Sequence, residues 1–284
     1  MKQAILVVAF GSTVDSAREH QIDAVVNRIK EKYTDYEVRL AFSSRIIVKR
    51  LRDRGIEIPT EQGALDALIG EGYTDIYVQP LHFTGGEEFD KLKHNILNHE
   101  RAQELNTLRV GRPLVYYMGQ EEHPNDYQIL IDTFVTSLSV SNEDGLLFVG
   151  HGGLGSGNSA YGYLQYQLIR SGLNHIRVAT LENAPYVADI AVPWEWLDGK
   201  KPNKIYVHPL LLVLGDHALN DLFGDEEDSV VNVLKEAGYE VEEMHHALGE
   251  YTDIQDIYCQ HIQDCIDDIY GKRSSHRPTI PNIK

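Results

Sequence analysis

The hexapeptide Ile76-Tyr77-Val78-Gln79-Pro80-Leu81 returns as Ile205-Tyr206-Val207-His208-Pro209-Leu210, 129 residues further along the chain. Continued without a gap, the alignment sets Gly86 opposite Gly215, Glu87 opposite Asp216 and Glu88 opposite His217. The starts of the two units also correspond: AILVVAFGS from Ala4 matches GLLFVGHGG from Gly145, which places Phe10 opposite His151. A β-branched run that stops at proline reads as a strand with a defined end. Two such units in 284 residues imply two similar lobes.

Between the units, short apolar runs alternate with amphipathic ones. Strands are expected at 4–10, 36–42, 75–79, 113–117, 145–149, 176–181, 204–208 and 239–241. Helices are expected at 15–33, where Ile22, Val25, Val26 and Ile29 share a face, and near 45–54, 60–71, 87–102, 125–138, 158–171, 227–237 and 250–270. Strands separated by single helices imply βαβ crossovers and parallel sheets. The expected fold is α/β, with two doubly wound Rossmann-like lobes and an active-site cleft between them. The lobes are expected at 1–122 and 123–270, with the C-terminal helix packing back on the first. The basic, proline-bearing segment 271–284 reads as a flexible tail.

Charge narrows the partners. The net charge is −17, which argues against nucleic acid and anionic membranes. Yet residues 1–60 hold 11 Lys and Arg against 8 Asp and Glu, concentrated at Arg45, Lys49, Arg50, Arg52 and Arg54. That cluster is either a solvated helix face or a patch for an anionic ligand. The longest apolar run, His208 to Leu214, is far short of a membrane span, and the N-terminus reads as a strand rather than a signal peptide. Cys259 and Cys265 are six apart on an expected helix, so they suit neither a disulfide nor a metal pair. A soluble, cytoplasmic protein is the expectation.

Chemistry is expected at the carboxyl ends of strands, where open α/β sheets bind ligands. His151 follows a strand between Gly150 and Gly152, Glu182 ends another, and His217 lies just past a third. Two imidazoles and a carboxylate suit a divalent transition metal, although each residue is also at home as a loop or capping group. His82, Glu87 and Glu88 follow the third strand. The glutamates are either a dipole-stabilised helix start or proton acceptors aimed at the opposite lobe. His94, His99, His245 and His246 are expected at the surface.

Two competing motifs fail on spacing. Gly150 to Gly155 formally matches G-x-G-x-x-G, but the next acidic residue is Glu182, 27 beyond Gly155, and an imidazole in the first turn would crowd a pyrophosphate. Ser156 lacks the flanking glycine of a nucleophile elbow, since position 154 is Leu.

Taken in order, AFGST, AFSSRIIVKRL, GYTDIYVQPLHFTGGEEFDKL, VGHG with NSAYGYLQ, and PLLLVLGDHALNDL resemble the anaerobic sirohydrochlorin cobalt chelatases of the CbiK type. These are class II chelatases, similar to ferrochelatase in fold, and the likeness covers roughly residues 4–250. It implies a divalent metal as substrate (Co2+, with Fe2+ or Ni2+ as alternatives), no organic cofactor, and sirohydrochlorin or a related tetrapyrrole as partner. It implies the metal on His151, Glu182 and His217, catalysis by His151 with Glu88 and His82, and substrate contacts at Phe10, Gly11, Ser12, Ser44, Arg45 and Glu87. A homo-oligomer is compatible with it. The same ligands would serve Fe2+ insertion for sirohaem, or a non-catalytic tetrapyrrole or metal carrier. The chain departs from the family after the GHG, where GLGSG replaces bulkier polar residues.

Overall fold

The computed structural model describes residues 2–190, 194 and 201–270, so the expected tail at 271–284 lies outside the described residues. The strands form two four-stranded sheets ordered β2-β1-β3-β4 and β6-β5-β7-β8. The first contains β1 (Gln3–Ala9), β2 (Glu37–Phe42), β3 (Asp75–Pro80) and β4 (Thr107–Val110). The second contains β5 (Gly145–Gly150), β6 (Ile176–Thr180), β7 (Lys204–Pro209) and β8 (Glu240–Glu243). Every pairing is parallel, and the two sheets share one topology.

The helices are α1 (Asp15–Ala17), α2 (Asp23–Lys32), α3 (Arg45–Asp53), α4 (Glu61–Gly70), α5 (Glu87–Leu97), α6 (Asp126–Thr133), α7 (Ser159–Arg170), α8 (Val187–Ile190), α9 (Asp216–Phe223), α10 (Val230–Glu236) and α11 (Thr252–Asp267). Ser44, Thr60, Asn125 and Ser229 start α3, α4, α6 and α10 by accepting a backbone N–H into the side chain.

Side-chain alternation explains the layering. Ile5, Val7 and Ala9 of β1 join Leu146 and Phe148 of β5 in a core that runs through both halves. Ala4, Leu6 and Val8 face a second core, and Leu147 and Val149 a third. Strands buried on both faces are largely apolar, as β1 from Ala4 onward and β5 are.

Helix α11 follows the second sheet but packs on the first. Tyr33 Oη donates to the Cys259 carbonyl at 2.7 Å, and Arg28 Nε meets Asp256 Oδ1 at 2.9 Å. Its buried Asp264 takes Arg112 Nη1 at 2.7 Å, while Arg112 Nε also reaches buried Asp126 at 3.1 Å. Cys259 and Cys265 are free and buried there, and burial pushes the Cys259 thiol up to about 11.

Several expectations shift. The strand expected at 113–117 is β4 at Thr107–Val110, while Val115 makes only an isolated bridge to Thr84. The helix expected at 15–33 contains a π turn at Arg18–Ile22. Helix α9 was not expected, and His99 is only 8% exposed rather than at the surface. It accepts the Arg101 N–H at Nδ1, and its Nε2 lies 3.6 Å from Asp66. No helix among the described residues is long and apolar enough to cross a membrane.

Candidate metal and substrate site

The carboxyl ends of the two sheets face each other through reciprocal contacts. After β1, Gln21 accepts the Leu214 N–H at 2.8 Å, joining the start of the first sheet to the loop after β7. After β3, Phe83 stacks on Tyr161 of α7 at 5.5 Å, and Thr84 Oγ1 donates to the Gly157 carbonyl at 3.4 Å. Tyr161 in turn lies against Gly150, where a Cβ would come within 2.2 Å of its ring, so β5 has to end in glycine. The repeat reappears here, since α5 and α9 begin 129 residues apart, each capped by glycine, at Gly86 and Gly215.

On the second lobe, backbone hydrogen bonding carries the β5–β6 pairing beyond the strands. Leu181 N donates to the Gly150 carbonyl and Glu182 N to the His151 carbonyl, both at 3.0 Å. The side chains then meet, with Glu182 Oε2 3.5 Å from His151 Nδ1. Nδ1 also lies 3.1 Å from the Gly152 carbonyl, which can only accept, so Nδ1 carries the hydrogen and Nε2 offers its lone pair. A carboxylate beside the N–H of a ligating imidazole fixes the ring and raises its basicity. Both side chains are open to solvent, at 58% and 60% exposure. His217 is exposed in the first turn of α9. Among the described residues no group of three or more His, Cys, Asp or Glu side chains is gathered closely enough to hold a metal. The structure therefore pairs His151 with Glu182 and leaves His217 apart.

The first lobe repeats this frame with other side chains. Ser44 N donates to the Phe10 carbonyl at 3.2 Å, the counterpart of the Glu182–His151 bond. Phe10 is 51% exposed. Gly11 has φ +107, and a Cβ there would meet the Phe42 ring at 2.6 Å, so only glycine fits. Buried Ser12 accepts the Val14 N–H at 3.1 Å, and Ser44 caps α3, which begins with exposed Arg45. Glu87 and Glu88 are exposed in the first turn of α5.

His82 differs. Both ring nitrogens are buried without a hydrogen-bond partner, and burial pushes its pKa down to about 4. It is a neutral, enclosed imidazole and a weaker proton acceptor than its position after β3 suggested.

Sequence reasoning missed Asn158, which binds the loop together. Its Oδ1 accepts the Gly153 N–H at 3.1 Å and its Nδ2 donates to the Ala184 carbonyl, tying the His151 loop to the one after β6. It also missed the Gly86–Gly157 approach. Neither carries a signal in one sequence. A small open pocket lies elsewhere, beside Arg112 and His261. The strand-end residues themselves sit on open loops.

A family model, cobalt chelatase (CbiK), matches residues 3–267. This chain belongs to the CbiK family. Among its CbiK-type relatives, a sirohydrochlorin cobaltochelatase of Salmonella typhimurium is 30% identical over 270 residues, covering 94% of this chain and 97% of that one. The sirohydrochlorin cobaltochelatase CbiKC of Nitratidesulfovibrio vulgaris is 27% identical, covering 92% and 89%. In fold, the CbiK chain is similar to SirB from Bacillus subtilis, solved with Fe3+, at a TM-score of 0.65 and 18% identity over 96% of this chain and 98% of that. It is also similar to CbiX, the terminal enzyme of sirohaem biosynthesis in denitrifying bacteria, at a TM-score of 0.52 and 17% identity over 92% and 98%.

Proposed function

We propose that this chain is a sirohydrochlorin cobaltochelatase, a metal chelatase that inserts Co2+ into the tetrapyrrole for anaerobic cobalamin synthesis. The pairing of His151 and Glu182 at adjacent strand ends, in a chain of the CbiK family, carries the reading. Insertion of M2+ releases two pyrrole protons, so metal donors and bases have to flank the macrocycle. The metal donors are His151, through Nε2, with Glu182, which lies 3.5 Å from the other His151 nitrogen, and His217 from α9. Imidazole and carboxylate suit Co2+, Fe2+ or Ni2+ and release them more readily than thiolates would. An incomplete shell fits an ion that is passed on rather than kept. Across the cleft between 1–122 and 123–270, the Glu88 carboxylate takes up protons and Glu87 lies beside it. Phe10, Gly11, Ser12, Ser44 and Arg45 line the substrate side. The basic face of α3 offsets the carboxylates of sirohydrochlorin on an otherwise acidic chain. No organic cofactor is needed.

The test is anaerobic absorbance spectroscopy with sirohydrochlorin and Co2+, Fe2+ or Ni2+, alongside His151→Ala. Protein-dependent metallation that disappears in the variant supports the reading, and the relative rates rank the metals. Tetrapyrrole binding without faster metallation would make the chain a carrier.

A further inference from the structure

The loop that departs from the family pattern makes a contact that only glycine allows. Gly157 is buried in the turn Gly155–Asn158 that leads from the His151 strand end into α7. A Cβ at Gly157 would lie 2.4 Å from Gly86 Cα, 3.0 Å from Gly86 N and 3.2 Å from the Gly85 carbonyl. All three are backbone atoms, so no side-chain movement relieves the clash. Gly157 is not among the residues with positive φ, so its backbone conformation would accept alanine and the contact alone requires glycine. The contact is one-sided, because a methyl at Gly86 would stand an ordinary 3.7 Å from Gly157 Cα. Its two sides are functionally distinct. Gly157 belongs to the loop that starts at His151, and Gly86 caps the helix whose first turn carries Glu87 and Glu88.

We infer that Gly157 is a positioning residue: its backbone contact with Gly86 sets the spacing between the metal-donating side and the proton-accepting side. The inference rests on the function proposed above. An alanine at 157 needs about 1 Å of extra room, and misplacement of that size can cost about 100-fold in rate. The ion and the macrocycle keep their own contacts. The step that suffers is the one spanning both sides, in which the metal enters and the two pyrrole protons pass to carboxylates opposite.

The experiment compares wild type, Gly157→Ala and Gly162→Ala, the last placing a methyl in open space on α7. Turnover is expressed per bound sirohydrochlorin, which removes any effect of misfolded protein. Gly157→Ala is expected to lower turnover about 10- to 100-fold. Its KM for tetrapyrrole and its Co2+ affinity stay at wild-type values, and its solvent isotope effect rises because proton transfer becomes slow. Gly162→Ala behaves as wild type. Unchanged turnover per site, an unchanged isotope effect, or a matching loss of Co2+ affinity overturns the inference. Should Gly157→Ala not fold, Thr84→Val removes the hydrogen bond to the Gly157 carbonyl without a clash, and it is expected to give the same signature more weakly. Absence of that signature overturns the inference as well. His151→Ala separates the levels: if it still inserts metal, the proposed function fails, whereas its loss beside a normal Gly157→Ala removes only the positioning role.

Discussion

Glu182 and His151 meet twice, through a backbone hydrogen bond of 3.0 Å and through side chains 3.5 Å apart. The first contact is ordinary sheet pairing that runs just past the ends of β5 and β6, and it places the second. Ser44 and Phe10 make the same backbone bond on the other lobe with nothing to exchange between their side chains.

Glu182→Gln keeps the backbone bond and removes the charge beside His151 Nδ1. It is expected to weaken Co2+ binding and insertion about 10- to 100-fold, the usual cost of losing a carboxylate partner of a ligating histidine. Both side chains are exposed, so stability should change by less than about 0.5 kcal/mol. Calorimetric Co2+ titration and a thermal melt check the two halves of this statement.

Arg45→Ala and Arg50→Ala are expected to raise KM for sirohydrochlorin about 3- to 10-fold at low salt, and less at high salt, as screening predicts. Arg54 is different, because Asp15 already holds it at 2.8 Å. Steady-state kinetics across ionic strength test the patch, and a KM that does not respond would return α3 to a solvated face.

His208 is buried at the end of β7, donating Nδ1–H to the Pro209 carbonyl at 2.8 Å while Tyr251 Oη lies 2.9 Å from Nε2. Burial pushes its pKa down to about 4, against the upward pull of the Pro209 hydrogen bond and of nearby Glu250. The unfolded chain binds that proton below about pH 6.5 and the folded chain does not, so stability present above pH 6.5 is lost as pH falls towards 4. The repeat supplies a replacement, since Gln79 occupies the equivalent place and donates to the Pro80 carbonyl at 2.8 Å. His208→Gln is expected to fold and to lose about 3 kcal/mol less than wild type between pH 7 and pH 4. Denaturant titrations at the two pH values measure the difference.

Arg112 joins the loop after β4 to α6 through Asp126 and to α11 through Asp264. Arg112→Met leaves two buried carboxylates unpaired and should destabilise by about 3–5 kcal/mol. The deficit should shrink in acid, because protonating Asp126 removes the buried charge, and melts of the variant across pH would show it.

The parallel sheets and their strand-end chemistry were legible because β1 and β5 are almost wholly apolar and buried, and because β3 and β7 carry the repeated Ile-Tyr-Val run that stops at proline. Edge strand β4 was not. Only Leu108 and Val110 point inward from Thr107–Val110, whereas the richer run at 113–117 buries Leu114 and Val115 and pairs with the segment after β3 only through an isolated bridge. The apolar spacing at Ile22, Val25, Val26 and Ile29 begins where the π turn at Arg18–Ile22 ends, so a periodicity argument passes over it. His99 was misplaced because its burial depends on Asp66 and Arg101 rather than on its own helix face. At the site, His151 and Glu182 could be found from strand ends, but nothing in their spacing revealed that His217 would stand apart. The burial of the His82 ring nitrogens follows from tertiary packing: the Phe89 ring of α5 lies 6.5 Å from the imidazole, and Tyr258 of α11 donates its hydroxyl to the His82 carbonyl at 3.2 Å.

The reciprocal docking of the π turn after β1 on the loop after β7, and of the loop after β3 on the turn after β5, is an approximate twofold arrangement within one polypeptide. Two identical chains built this way would present the same groups from both sides of the cleft. Fusing the halves releases them from that constraint, and the equivalent positions have diverged: Phe10 against His151, Ser44 against Glu182, Glu88 against His217. One wall can then specialise in imidazoles while the other keeps an aromatic ring, a hydroxyl and a carboxylate. A macrocycle held between them meets different chemistry on its two faces, a polarity that a symmetric pair could not provide.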